Sequence, residues 1–320
     1  MAKIITVGAA IQDVFLSQSD ALTPVCESPE HCFARLDLGA KADVNQIHFS
    51  TGGGATNAAV TFSRQGHYAS FMGAIGHDPA GQAVIADLDK ENIDTHLVRY
   101  SPKYSTGYSV LLLASNGERT ILTYRGASTH YHEADFDLSE EDADWLYVST
   151  LAGNMPMLHK LFQQAKRRDM KICFNPGKKE LVQKDKLLGL LPDVDVLTLN
   201  KEEMQQLVSG EDLEALVRRG LRLVPVVLVT DGVNGSIASD GKTIVRALMY
   251  DDRPSIDRTG AGDAFASGFL SEWARSGNLK NSVIMGSANA SSVVMKIGAK
   301  AGILYAGTVL HAMPIQEREI

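Results

Sequence analysis

Short β-branched runs alternate with helix-length amphipathic stretches along most of this 320-residue chain. No other feature restricts its fold as much. Strands separated by helical crossovers pair in parallel, and the helices cover both faces of the sheet. Residues 3–7 read as a first buried strand, and residues 55–65 as a helix opening after three glycines. Further strands are expected at 69–73, 145–149, 171–175, 194–199 and 226–230. Helices are expected at 80–91, 155–168, 201–208 and 212–219, with two long ones near 262–276 and 279–297. The fold class is therefore α/β, a doubly wound α/β/α sandwich.

Two stretches break the rhythm. Residues 15–50 carry Pro24, Pro29 and isolated apolar positions, and residues 95–125 read as three strands, at 96–100, 107–114 and 119–124. Ser115-Asn116-Gly117 joins the last two, and Asn-Gly favours a hairpin turn. Strands without intervening helices imply a small antiparallel β-lid. With no internal repeat and no flexible linker, both segments read as insertions into one domain spanning residues 1–320.

Acidic side chains outnumber basic ones, 38 to 31, which disfavours nucleic acid as a partner. Apolar runs are of strand length, so no membrane span is expected. The N-terminal run has one lysine and no clear cleavage site, and reads as a strand rather than a leader. Cys26, Cys32 and Cys173 form no CxxC pair, which suggests a reducing, cytoplasmic setting. Cys26, His31 and Cys32 have poor spacing for zinc.

The strongest chemical signal is Asp257-Arg258-Thr259-Gly260-Ala261-Gly262-Asp263-Ala264-Phe265, which opens a helix. A helix N-terminus offers unpaired N–H groups and partial positive charge, so the small residues there can cradle a phosphate. Asp263 at that end can accept a hydroxyl proton as the oxygen attacks a γ-phosphorus; it can also be a plain N-terminal cap. Gly52-Gly53-Gly54-Ala55-Thr56-Asn57 is either a tight structural turn or a turn presenting the Asn57 amide to vicinal hydroxyls. Asn200-Lys201-Glu202-Glu203 follows a strand at the edge where open α/β sheets bind ligands. There Glu203 can hold a magnesium-bound water and Asn200 a phosphate oxygen, or the pair is a helix cap. Thr230-Asp231-Gly232-Val233-Asn234-Gly235 is a nucleotide turn or a hairpin, and Asp13 a sugar-hydroxyl acceptor or a loop cap. No G-x-x-x-x-G-K-[ST] is present, and Gly8-Ala9-Ala10-Ile11 does not fit a dinucleotide loop.

From the first strand to about Gly302 the sequence resembles the ribokinase, or PfkB carbohydrate kinase, family. The glycine-rich region ending in Asn57, the following Gly73-Ala74-Ile75-Gly76-His77-Asp78, and DRTGAGDAF carry the resemblance in order and spacing. It implies Asp263 as catalytic base with Gly260, Ala261 and Gly262 as anion hole. It implies that Asn200 and Glu203 position phosphate and magnesium, and that Thr230, Gly232, Gly235 and Asn289 face ATP. Asp13, Gly53 and Asn57 match sugar-contacting positions. Asp257 and Thr259 match a potassium site found in some members, and segment 95–125 matches a lid that often forms a dimer clasp. Arg258 departs from the usual Thr or Pro, segment 15–50 is long, and Asn175-Pro176-Gly177 lies where substrate classes vary.

The expected activity is ATP-dependent, Mg²⁺-assisted phosphorylation of a small sugar of the ribokinase or fructokinase type. A nucleoside acceptor would need an apolar wall, for which Phe15, Phe33 and Tyr108 are candidates, and a phosphosugar would need cations such as Arg119 and Arg125. A non-catalytic sugar or nucleotide binder on the same fold is the alternative outside the enzyme class.

Overall fold

The computed structural model describes residues 1–28, 31–114, 119–251, 253 and 255–320. The Ser115-Asn116-Gly117 turn lies outside the described residues. In the first half run β1 (Lys3–Val7), β2 (Ile11–Ser17), β3 (Val25–Ser28), β4 (His31–Phe33), β5 (Gln46–Gly52), α1 (Gly54–Arg64), β6 (Tyr68–Met72) and β7 (Ala74–Gly76). Next come α2 (Pro79–Lys90), β8 (Arg99–Ser101), β9 (Gly107–Leu113), β10 (Arg119–Tyr124), β11 (Trp145–Val148), α3 (Met155–Arg167) and β12 (Lys171–Phe174). The second half continues with α4 (Lys178–Leu181), α5 (Lys184–Leu190), β13 (Val196–Asn200), α6 (Lys201–Leu207), α7 (Leu213–Gly220) and β14 (Val226–Thr230). It closes with β15 (Ser236–Ser239), β16 (Thr243–Ala247), α8 (Ala261–Ser276), α9 (Leu279–Val293) and β17 (Ile315–Glu319).

The main sheet has nine strands in the order β17-β16-β15-β14-β13-β12-β11-β1-β6. From β6 to β14 every pairing is parallel, as the helical crossovers require. β15 and β16 then add antiparallel strands, because the turns after Thr230 and Ser239 are too short for a crossover, and β17, which follows α8 and α9, pairs antiparallel with β16. Alternating residues serve opposite faces: Ile5, Val7, Leu146 and Val148 enter one core layer, and Ile4, Trp145 and Tyr147 the other. Since the strands run in parallel, the segments after β1, β11, β13 and β14 emerge along one edge. That edge gathers Ala9, Ser149, Asn200 and Thr230.

β10, β9, β2 and β5 form a second sheet, in that order. Its two outer pairs are antiparallel, but β2 and β9 pair in parallel, so the lid sheet is mixed rather than wholly antiparallel. The cause is that two antiparallel pairs, β2/β5 and β9/β10, meet side by side. Register places Ser50, Asp13, Ser109 and Thr123 in one polar row on the face shared with buried Phe15 and Leu111. The opposite face carries Phe49, Val14, Val110 and Leu122, of which Phe49 and Leu122 are exposed.

The cysteine expectation needs correction: Cys26 and Cys32 stand opposite each other in the β3–β4 hairpin and are joined as a disulfide, while Cys173 is buried and free. Among the described residues no cluster of His, Cys, Asp or Glu could hold a metal by itself, and no helix is long and apolar enough to cross a membrane.

Candidate active site

The turn before α8 is fixed from several sides. The Ile256 and Asp257 amides donate to Val294 O at 2.7 and 3.1 Å. One Asp257 carboxyl oxygen accepts from the Thr259 amide and hydroxyl, at 2.9 and 2.7 Å, and the other from the Gly298 amide at 3.0 Å. Arg119 Nε, from the lid, stands 4.0 Å from the same carboxyl. Gly260 adopts φ 79°, and a Cβ there would lie 2.4 Å from Ala299 Cβ, so only glycine fits. The chain then enters α8 with the free N–H groups of its first turn beside Gly262 and Asp263.

Asp263 is half-buried, and desolvation raises its pKa above the usual carboxylate value. Asn57 opposes that shift, donating from Nδ2 to Asp263 Oδ2 at 2.8 Å. Asn57 is 4 % exposed, and its Oδ1 has no protein partner among the described residues. The amide expected to meet hydroxyls thus spends one of its two N–H donors on Asp263 and keeps its acceptor.

The three glycines where β5 passes into α1 let two carboxyl groups approach the backbone closely, one at each end of the run. A Cβ at Gly52 would lie 2.3 Å from Asp13 Oδ2, and one at Gly54 would lie 3.1 Å from Asp263 Oδ1 and 2.3 Å from Ser149 Oγ. Gly53 bends the chain between them at φ 102°, against Ala9 O. Of the three, Gly54 rather than Gly53 is the one beside Asp263.

Asp13 is 7 % exposed, and burial pushes its pKa up to about 6 despite the Ser109 hydroxyl and the Lys300 ammonium. Lys300 is itself buried: Nζ donates to Thr51 Oγ1 at 2.6 Å and to Asp87 Oδ2 at 2.9 Å. Burial lowers the Lys300 pKa, while Asp87 and Asp13 oppose that.

Two adjoining cavities flank the α8 turn. The smaller, of about 190 Å³, is lined by Asn175, Thr198, Asn200, Glu203, Thr230, Gly262 and Asp263. Asn200 and Glu203 also cap α6 reciprocally: Glu203 N donates to Asn200 Oδ1 at 2.9 Å, and Asn200 N to Glu203 Oε2 at 3.0 Å. Burial raises the Glu203 pKa. Thr198 Oγ1 is buried there without a partner among the described residues. An oxygen-rich cleft with one or two carboxyl groups suits Mg²⁺ that keeps most of its waters. The larger cavity, of about 720 Å³, shares Asn200, Thr230 and Gly262, and adds Gly232, Gly235 and Ala261.

Asn289 does not join them. It is 0 % exposed, donates to Ala264 O at 2.8 Å and accepts from Leu304 N at 2.9 Å, so it ties α9 to α8. Another face of the same stretch of α9 meets the cavity through Ser287, Ala290 and Ser291 instead, and Ser287 Oγ is buried without a partner among the described residues. A helix face shifts by about 100° per residue, so a motif position two residues off points elsewhere.

Sequence reasoning missed Ser149, Lys300 and Glu180. Glu180 is fully buried and accepts from Thr150 Oγ1, Leu151 N, Gly153 N and Gly177 N at 2.7–3.0 Å. Its only signal in the sequence is an acidic residue three positions after Gly177, which reads as an ordinary helix start.

Residues 23–304 match the profile described as pfkB family carbohydrate kinase. The chain belongs to this family. Its relatives include a ribokinase of Haemophilus influenzae, 26 % identical over 79 % of this chain and 83 % of the relative. A nucleoside kinase of Methanocaldococcus jannaschii is 25 % identical over 79 % of this chain and 82 % of its own. The structure of Arabidopsis thaliana ribokinase complexed with ribose and ATP superposes with a TM-score of 0.78 at 21 % identity, covering 95 % of this chain and 96 % of that one. The pfkB kinases are carbohydrate kinases, so this chain is a phosphotransferase acting on a sugar or nucleoside.

Proposed function

We propose that the protein transfers the γ-phosphoryl group of ATP to a hydroxyl of a small sugar, with Asp263 as the base. The observation that carries this reading is the position of Asp263, bonded to Asn57 at the open end of α8 where the two cavities meet. The acceptor hydroxyl gives its proton to Asp263 as its oxygen attacks phosphorus in line. The free N–H groups of Gly262 and Asp263 take the charge that builds on the transferred group. Asn200 and Glu203 would hold Mg²⁺ through water, and the ion would neutralise phosphate charge. Thr230, Gly232 and Gly235 face the nucleotide. The lid sheet covers the acceptor and keeps water from the phosphoryl group.

A sugar is favoured over the alternatives by the lid. The Ser50–Asp13–Ser109–Thr123 row offers hydroxyls and a carboxyl to a polyhydroxylated ligand. The apolar wall a nucleoside needs is lacking from two of its candidates: Phe15 is 1 % exposed, and Tyr108 lies on the other face of the lid sheet. Arg119, a candidate for binding an acceptor phosphate, already faces Asp257.

The test is ATP-to-ADP turnover against pentoses, hexoses, nucleosides and phosphosugars with Mg²⁺. Stimulation by a neutral sugar supports the proposal. Stimulation by nucleosides alone shifts the acceptor, and ATP binding without any stimulated turnover replaces the enzyme with a binding protein. Potassium is tested in the same assay, because Asp257 and Thr259 would supply its site. Faster turnover in KCl than in NaCl supports that site, and equal rates remove it.

Asp13 makes the reaction pH-dependent in a defined direction. Its two oxygens both accept strong, charge-assisted hydrogen bonds from hydroxyls only when it is ionised, which it is above pH of about 6. The KM for the acceptor should therefore rise as pH falls through 6, and the rise should vanish in Asp13→Asn. An unchanged acid limb in that variant would assign it to another group.

We further propose a homodimer through the exposed lid face of Ile47, Phe49, Leu122 and Tyr124, and a cytoplasmic location, where ATP is supplied. The exposed Cys26–Cys32 pair would be reduced there.

A further inference from the structure

Most charges lining the larger cavity are neutralised locally. Lys201 Nζ lies 3.4 Å from Asp231, and Arg253 lies 2.5 Å from Asp251. Arg258 is the cation left over. Among the described residues it has no carboxylate within ion-pair distance, and its side chain makes one hydrogen bond, from Nε to Ser255 Oγ at 3.2 Å. That bond leaves both terminal NH₂ groups of an exposed guanidinium unused.

The backbone beneath Arg258 is held firmly. Asp257 is pinned to Val294, Thr259 and Gly298, and Ala261 N donates to Arg258 O at 3.3 Å. The side chain therefore starts from a fixed point, two residues before the left-handed Gly260 that opens α8. An unpaired guanidinium beside free helix N–H groups is a strong site for phosphate oxygens, since its planar fork can engage two of them.

We propose that Arg258 grips the phosphate chain of the donor nucleotide and adds a side-chain cation to the backbone anion hole. The proposal rests on the kinase reading above. It gives a role to the residue by which this turn departs from the usual Thr or Pro. Arg258 recognises phosphate and not the nucleoside, so its effect separates these two parts of the ligand.

The experiment is calorimetric titration of wild-type protein, Arg258→Lys and Arg258→Gln with MgATP, and separately with adenosine, without acceptor. In R258Q the affinity for MgATP should fall about 10- to 100-fold, and in R258K by less, because lysine keeps the charge and loses the fork. Adenosine should bind all three alike, which also reports an intact cavity. MgATP binding to R258Q within twofold of wild type overturns the proposal and leaves the kinase reading standing. An equal loss of adenosine also overturns it, because Arg258 would then shape the cavity. A wild-type protein that binds neither ligand removes the donor assignment itself.

Discussion

Asp263→Asn is expected to turn over about 10³- to 10⁴-fold more slowly than wild type, with MgATP affinity within about threefold. The substitution is nearly isosteric. Asn57 can still donate to the side-chain oxygen, so the α1–α8 contact persists. What is lost is the ability to take the proton of the attacking hydroxyl. In the wild type, burial raises the Asp263 pKa and the Asn57 bond lowers it, with burial the larger. The base is ionised above its pKa, so kcat should fall on the acid side of a point above the ordinary carboxylate range. Asn57→Ala removes the opposing bond and should move that limb to higher pH. Single-turnover rates across pH check both statements. Turnover of D263N within tenfold of wild type would remove Asp263 from the chemistry.

The parallel sheet was legible because its signal is local: each β-branched run is followed by a helix-length stretch, and the order of such units leaves few topologies. The α8 turn was legible for the same reason, since all its parts lie within nine consecutive residues. Contacts over long sequence distance were not. Asn57 and Asp263 are 206 residues apart, and Lys300 reaches Thr51 across 249. A single sequence does not say which amide meets which carboxyl. The Asn289 expectation failed for a different reason. It placed the residue on the correct helix, but the side a helix turns to a cavity depends on how it packs, and α9 turns Asn289 toward α8. The cysteines likewise showed no CxxC spacing, yet a hairpin brought residues 26 and 32 opposite each other.

Glu180 should show the largest effect on stability. It has no cation partner among the described ion pairs, and is held instead by donors from two loops at the ligand edge. Glu180→Ala leaves one buried and two partly buried backbone N–H groups without their acceptor and is expected to cost about 4 kcal/mol. Glu180→Gln keeps one oxygen but turns an NH₂ toward another donor, and should cost about 2 kcal/mol. At roughly 2 °C per kcal/mol for a chain of this size, melting should fall roughly 8 °C and 4 °C. Thr150→Val tests the cause, because its hydroxyl also donates to Glu180. It should destabilise the wild type by about 1 kcal/mol and the E180A protein by much less. Activity should fall too, since the loop that Glu180 holds follows Ser149, which packs on Gly54 beside Asp263. If E180A melts within a degree of wild type, water satisfies those donors and the carboxylate is not what holds the loops.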